Sequence, residues 1–223
     1  ELPSLLSGSH LDTVPNGGHF DGVLGVLTAL EVVEAWKEMD YIPKYPFEVV
    51  IFSDEEGSRF NDGFTGSRAF MGSIDIKEQI NLVDDEGKSF DEVLRQVGLE
   101  SNLFLSAKRD IKEIEAFIEV HIEQGIYLER TNTPIGIVSG IAGPSWLEIV
   151  FSGDAGHAGA TPMSLRKDPL VAAGEIINRI SYLPQEVSST AVATVGKIDV
   201  KPNGINVIPG EVTLFVDIRD IKT

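Results

Sequence analysis

Four short segments in the first half of the chain carry residues able to hold and use metal ions. They are His10-Leu11-Asp12, Asp21-Gly22, Asp54-Glu55-Glu56-Gly57 and His121-Ile122-Glu123-Gln124-Gly125. Imidazole nitrogens and carboxylate oxygens together form a ligand set for a pair of divalent cations, with one carboxylate free to bridge. Such ions activate water and polarise carbonyl groups, so the residue types point to metal-dependent hydrolysis.

Each segment alone is a weak signal. His10 and Asp12 sit two apart at a strand end and share a face, which suits a ligand and a carboxylate that fixes its tautomer. A polar strand end meeting solvent would read the same way. Asp21 stands at the N-cap position of the following helix, its simplest use, although the Asn16-Gly17-Gly18 turn folds it back toward His10. Glu55 and Glu56 follow a buried strand. Adjacent glutamates there should project differently, one toward a metal and one toward substrate as a general base. Surrounding negative charge would raise the pKa of that base. A solvated acidic turn is the plain alternative. His121 lies on the polar face of an apolar strand, as a satisfied core histidine also would. The joint pattern is what counts: His10, Glu55–Glu56 and His121 all fall at the carboxyl ends of predicted parallel strands, where α/β sites form.

The elements that must position these residues follow from periodicity. Residues 4–10 read as a short strand, and 22–37 as an amphipathic helix with Val23, Val26, Leu27, Leu30 and Val33 on one stripe. Residues 47–53 read as a buried strand. Ser89 and Glu92 form a capping box, with Gly98 closing that helix. Residues 114–122 alternate as a strand. The order predicts an α/β chain with a mainly parallel sheet. Near Gly136–Gly143 the character changes to strand 146–151, helix 169–180 opened by Asp168-Pro169, strand 191–200 and strand 211–218. This βαββ order is the start of a split βαββαβ, ferredoxin-like sandwich. The expected domains are 1–136 and 137–223, both partial.

The second half adds three candidates. Gly156-His157-Ala158-Gly159-Ala160-Thr161-Pro162 is a glycine-bearing loop whose His157 can donate to a developing oxyanion, or is an incidental histidine on a flexible loop. Asn206 lies in the turn 203–210. Arg219 can clamp a carboxylate by two points, or simply pair with Asp217 or Asp220. His19 carries no signal.

Composition narrows the classes. Eighteen basic against thirty-five acidic residues give a net charge of −17, which argues against nucleic acid and against an anionic membrane surface. No apolar run approaches the ~20 residues that span a bilayer. There is no cysteine, so thiol nucleophiles, thiolate metal sites and disulfides are excluded, and a reducing, cytoplasmic compartment fits.

The run Gly8 to Gly18 with Asp21-Gly22 resembles the first metal motif of the dinuclear aminoacylase/carboxypeptidase (peptidase M20) superfamily. Glu55-Glu56-Gly57-Ser58-Arg59-Phe60, His121 to Gly125 and Gly156 to Met163 resemble its amidohydrolase branch, the N-carbamoyl-L-amino-acid hydrolases and allantoate amidohydrolases. The resemblance covers essentially the whole chain. It implies two divalent ions (zinc, manganese, cobalt or nickel) held by His10, Asp21, Glu56 and His121, with Asp21 bridging and Asp12 orienting His10. It implies Glu55 as the general base on a metal-bridging water and His157 at the oxyanion. Gln124, Asn206 and Arg219 would contact a small carboxylate-bearing substrate, and the second domain would be a lid that also forms a homodimer. It implies, too, that the chain is a fragment lacking a returning catalytic segment. The expected activity is hydrolysis of linear C–N bonds, N-carbamoyl-L-amino acids first and allantoate second. A peptidase or aminoacylase of the same superfamily and an inert dimerisation fragment are the competing readings.

Overall fold

Strand β1 (Ser4–His10) runs through the middle of a three-stranded parallel sheet and ends on its most important side chain. The structure, a computed structural model, describes residues 2–222. It divides between Pro134 and Ile135 into two units, and the chain is mixed α/β, with a parallel sheet in one unit and antiparallel strands in the other.

In the first unit β1 is followed by α1 (Val23–Glu38), β2 (Phe47–Phe52), α2 (Thr65–Met71), α3 (Ile76–Gln79), α4 (Phe90–Gln96), β3 (Ile114–Ile118) and α5 (Tyr127–Arg130). The strand order is β2-β1-β3, all parallel. β1 is almost wholly buried and rich in small residues, Ser7-Gly8-Ser9, which let α1 approach closely. At Gly25 of α1 an added Cβ would stand 2.6 Å from the Val120 carbonyl and 2.8 Å from Ser9 Cβ.

Four sequence expectations change here. α1 starts at Val23 with Gly22, not Asp21, at its N-cap, and no side chain caps it. The side of α1 buried in the unit is Gly25, Val26 and Ala29, while Leu27, Leu30 and Val33 are exposed; close helix–strand approach selects the small residues. Among the described residues β2 pairs with β1 alone, and it is half-buried, not buried on both faces. β3 stops at Ile118 although the apolar alternation continues to Ile122, because its ladder with β1 covers only Ser4 to Ser7. The capping box at Ser89 and Glu92 is present, and Gly98 follows that helix in a left-handed conformation (φ 79°).

The second unit contains β4 (Gly143–Ser152), a short β5 (Gly156–His157), α6 (Pro169–Ile180), α7 (Leu183–Val187), β6 (Val192–Lys201), a short β7 (Val207–Ile208) and β8 (Glu211–Asp220). β8 is central in an antiparallel sheet of order β4-β8-β6, and β5 pairs separately with β7. Val212, Leu214 and Val216 alternate along β8 onto Ala173 of α6, with Ile149, Phe151, Ile176 and Ile180 around them. Asp168 caps α6 by accepting from the Leu170 N–H at 3.0 Å, with Pro169 at the first helical position. Among the described residues no helix is long and apolar enough to cross a membrane.

Candidate metal centre

His10 ends β1 at 2% exposure. Its Nδ1 lies 2.8 Å from the main-chain carbonyl of Asp12. A carbonyl only accepts, so Nδ1 carries the proton, and in the neutral ring Nε2 presents a lone pair. That Nε2 faces Asp21 Oδ1 at 3.8 Å and Glu55 Oε2 at 3.6 Å. The main chain of Asp12 thus hydrogen-bonds the ring, and its carboxylate Oδ1 stands 3.7 Å from the same Nδ1. The other carboxylate oxygen, Oδ2, accepts from the Glu56 N–H at 3.0 Å and ties the Glu55–Glu56 loop to the end of β1.

His121 repeats the arrangement three residues beyond β3. Its Nδ1 lies 2.7 Å from the Ile122 carbonyl, and its Nε2 stands 3.3 Å from Asp21 Oδ1. Its side chain is about one-third exposed, not a core histidine. Asp21 reaches both rings because Gly22 has φ 68°, and a Cβ there would collide with His10. Gln124, held at φ 53°, donates from Nε2 to Asp21 Oδ2 at 2.6 Å.

Two groups of ligand atoms result, His10–Asp21–His121 and His10–Glu55–Glu56, each with its atoms within 4.8 Å of one another. Both adjacent glutamates therefore face His10, contrary to expectation. The segment is not extended: Asp54 (φ 53°) and Gly57 (φ 63°) turn the chain on either side of them. Burial raises the Glu55 carboxyl above its usual range; the His10 ring opposes this, and the Glu56, Asp12 and Glu119 carboxylates reinforce it. The direction matches expectation, but desolvation leads and neighbouring charge follows.

The donor set fits a cation. Asp21 Oδ1 and Asp12 Oδ1 are buried with no hydrogen-bond donor. Around Asp21 Oδ1 two neutral imidazoles would present lone pairs to a lone pair, an arrangement that requires positive charge in its midst.

The remaining expected residues lie in the second unit. His157 sits on β5 paired with Val207; its Nδ1 accepts from the Gly159 N–H at 3.0 Å. The Asn206 carbonyl accepts from the Ala158 N–H at 3.0 Å. Arg219 is held by Asp217 through Nε (2.9 Å) and Nη2 (3.0 Å), and Trp146 Nε1 donates to the same carboxylate at 3.0 Å.

Three contributors carry no assigned role in the sequence analysis. Gly22 could have been flagged because it directly follows a candidate ligand. Arg59, inside the Glu55–Phe60 motif, donates through Nε (2.9 Å) and Nη2 (2.8 Å) to Asp84, and Phe60 stacks edge-on against Phe90 at 5.2 Å. The glutamate loop is thereby braced against residues 84–90. Distant pairings of this kind leave no local sequence signal.

The chain belongs to the peptidase family M20/M25/M40, whose model matches residues 6–215. It is 48% identical over 224 residues to an N-carbamoyl-L-amino-acid amidohydrolase of Pseudomonas sp. (strain NS671), covering 99% of this chain and 54% of that protein. It is 40% identical over 215 residues to the allantoate amidohydrolase of Bacillus subtilis, covering 96% of this chain and 52% of that one. A crystal structure of a hydantoinase/carbamoylase family amidase from Burkholderia ambifaria superposes with a TM-score of 0.87 at 36% identity, covering 98% of this chain and 53% of that chain. The chain spans about half the length of the curated relatives it matches.

Proposed function

We propose that the protein containing this chain is a metal-dependent amidohydrolase that converts N-carbamoyl-L-amino acids and water to the amino acid, ammonia and CO2. The observation that carries this is the convergence of His10, Asp21, His121, Glu55 and Glu56, with a buried carboxylate oxygen left without a donor. Identity of 48% to a protein of that name supports the substrate class.

His10, Asp21 and His121 would hold one divalent ion and Glu56, with Asp21 shared, a second. When bound, these ions supply an activated water and polarise the substrate carbonyl. Glu55 is the general base: its carboxyl, raised by burial, accepts a proton from the attacking water and delivers it to the leaving nitrogen. Gln124 holds Asp21 in place and offers its remaining amide atoms to substrate. From the second unit, His157 is assigned to the developing oxyanion, and Asn206 and Arg219 to the substrate carboxylate. For Arg219, with Nε and one N–H of Nη2 serving Asp217, this leaves the N–H groups of Nη1 and the second one of Nη2 as donors. The order β4-β8-β6 supports a ferredoxin-like lid of the βαββαβ type, which we assign to homodimer formation. A cytoplasmic setting is part of the same reading.

Allantoate hydrolysis is the second reading, favoured by the 40% identity to the Bacillus subtilis enzyme. The test is ammonia release from an N-carbamoyl-L-amino acid beside allantoate, using the full-length protein loaded with manganese, cobalt or zinc. Preference for the carbamoyl substrate with about two ions per subunit by elemental analysis is the expected result. Preference for allantoate would replace the first reading with the second. Absence of both metal and turnover would overturn the two together.

A further inference from the structure

Residues 157–161 form a tight turn closed on the His157 carbonyl. That oxygen accepts from the Ala160 N–H (3.2 Å), the Thr161 N–H (3.2 Å) and Thr161 Oγ1 (3.1 Å). Inside the turn the Gly159 N–H donates to His157 Nδ1. An N–H can only donate, so Nδ1 is the acceptor nitrogen and the ring proton of the neutral form resides on Nε2. The turn therefore selects the tautomer whose outer nitrogen is a donor. Gly159 allows it, because a Cβ there would press to 3.3 Å on His157 Cε1.

What holds the turn is Arg166, half-buried and following the short 3-10 turn Met163–Leu165. Its Nη2 donates to the Ala158 carbonyl at 2.6 Å and its Nε to the Thr161 carbonyl at 3.1 Å. One rigid planar fork thus spans the two ends of the segment that contains Gly159. A lysine, with one point charge on a flexible stem, cannot hold both carbonyls in a fixed geometry.

We propose that Arg166 is a positioning residue that locks the 157–161 turn and thereby presents His157 as an Nε2–H donor. This rests on the assignment of His157 to the oxyanion. The full-length holoenzyme is compared with its Arg166→Met, Arg166→Lys and His157→Ala variants, and with the Arg166→Met/His157→Ala double variant. Arg166→Met should lower kcat on the order of 10- to 100-fold, as small misplacements of a reacting group do, with KM within about twofold and metal content unchanged. Arg166→Lys should remain folded and still fall well short of the wild-type kcat. In the His157→Ala background the Arg166 substitution should cost nothing further, since the two act as one unit. Ring 15N shifts of His157 in the wild-type holoenzyme should report an unprotonated Nδ1, and this signature should blur in Arg166→Met.

Full activity in Arg166→Lys, additive losses in the double variant, or a wild-type His157 protonated on Nδ1 would each overturn the proposal. The ring shifts need no variant to fold. If His157→Ala alone keeps its rate, the oxyanion assignment fails, and the ring shifts still judge the role of Arg166.

Discussion

Gly22 lies against the ring of His10: a Cβ at Gly22 would stand 2.5 Å from both Cε1 and Nδ1. With φ at 68°, any other residue there also meets backbone strain, on the order of 1–3 kcal/mol. Gly22→Ala should therefore displace either His10 or Asp21. Elemental analysis of the purified variant should show loss of metal, and thermal unfolding a lower Tm. Gly18→Ala, where a Cβ has nothing within 4 Å, is the control and should retain its ions.

Glu55 and Glu56 both face His10, so substitution must separate their roles. Glu55→Gln should keep most of the metal and lose turnover by about 100-fold or more, the usual worth of a general base. Glu56→Gln should lose metal along with turnover. Steady-state kinetics beside elemental analysis gives the comparison. Near wild-type rates in Glu55→Gln would remove it from the proton path.

Much of this was legible in local sequence, and the failures share a cause. The cap at Ser89 with Glu92 and the Asp168-Pro169 start depend on residues within three positions, and both are present. Asp21 looked like a cap because only its sequence neighbours were visible. Its carboxylate is directed to His10, His121 and Gln124, the last two about a hundred residues away. The alternation over 114–122 cannot show where the partner strand leaves: β3 ends with its ladder at Ser7, and Ile118 and Val120 of the expected apolar face are exposed. The positive φ at Asp54 that turns both glutamates inward is a property of the folded loop.

Chelation should destabilise the protein. The buried, donorless oxygen of Asp21, grouped with His10 and His121, is tolerable beside a cation and costly without one. A ligand held at 100 times its Kd stabilises by about 2.7 kcal/mol, so EDTA should lower Tm and added manganese or zinc restore it. An unchanged Tm on chelation would contradict the site.

Asp84 offers a pH test away from the metal centre. Its side chain is only 5% exposed. The Lys88 N–H, then Arg59 and the Glu86 N–H, hold its carboxyl below the ordinary range. A depressed native pKa stabilises above the unfolded value, about 3.9, and that stabilisation disappears as pH falls toward the native one. Asp84→Asn should therefore have a lower Tm than wild type at pH 6, and the gap should narrow as pH approaches 3. Because Arg59 braces the glutamate loop, the variant should also bind metal more weakly at pH 7.

His10 belongs to both ligand groups, yet its Nδ1 is committed to the Asp12 carbonyl and a single Nε2 can bond one cation. The seat that takes it, beside His121, has borderline nitrogen donors suited to zinc, cobalt or nickel. One ring nitrogen must therefore choose between the two groups, which makes His10 the point at which the proposed ion positions are coupled.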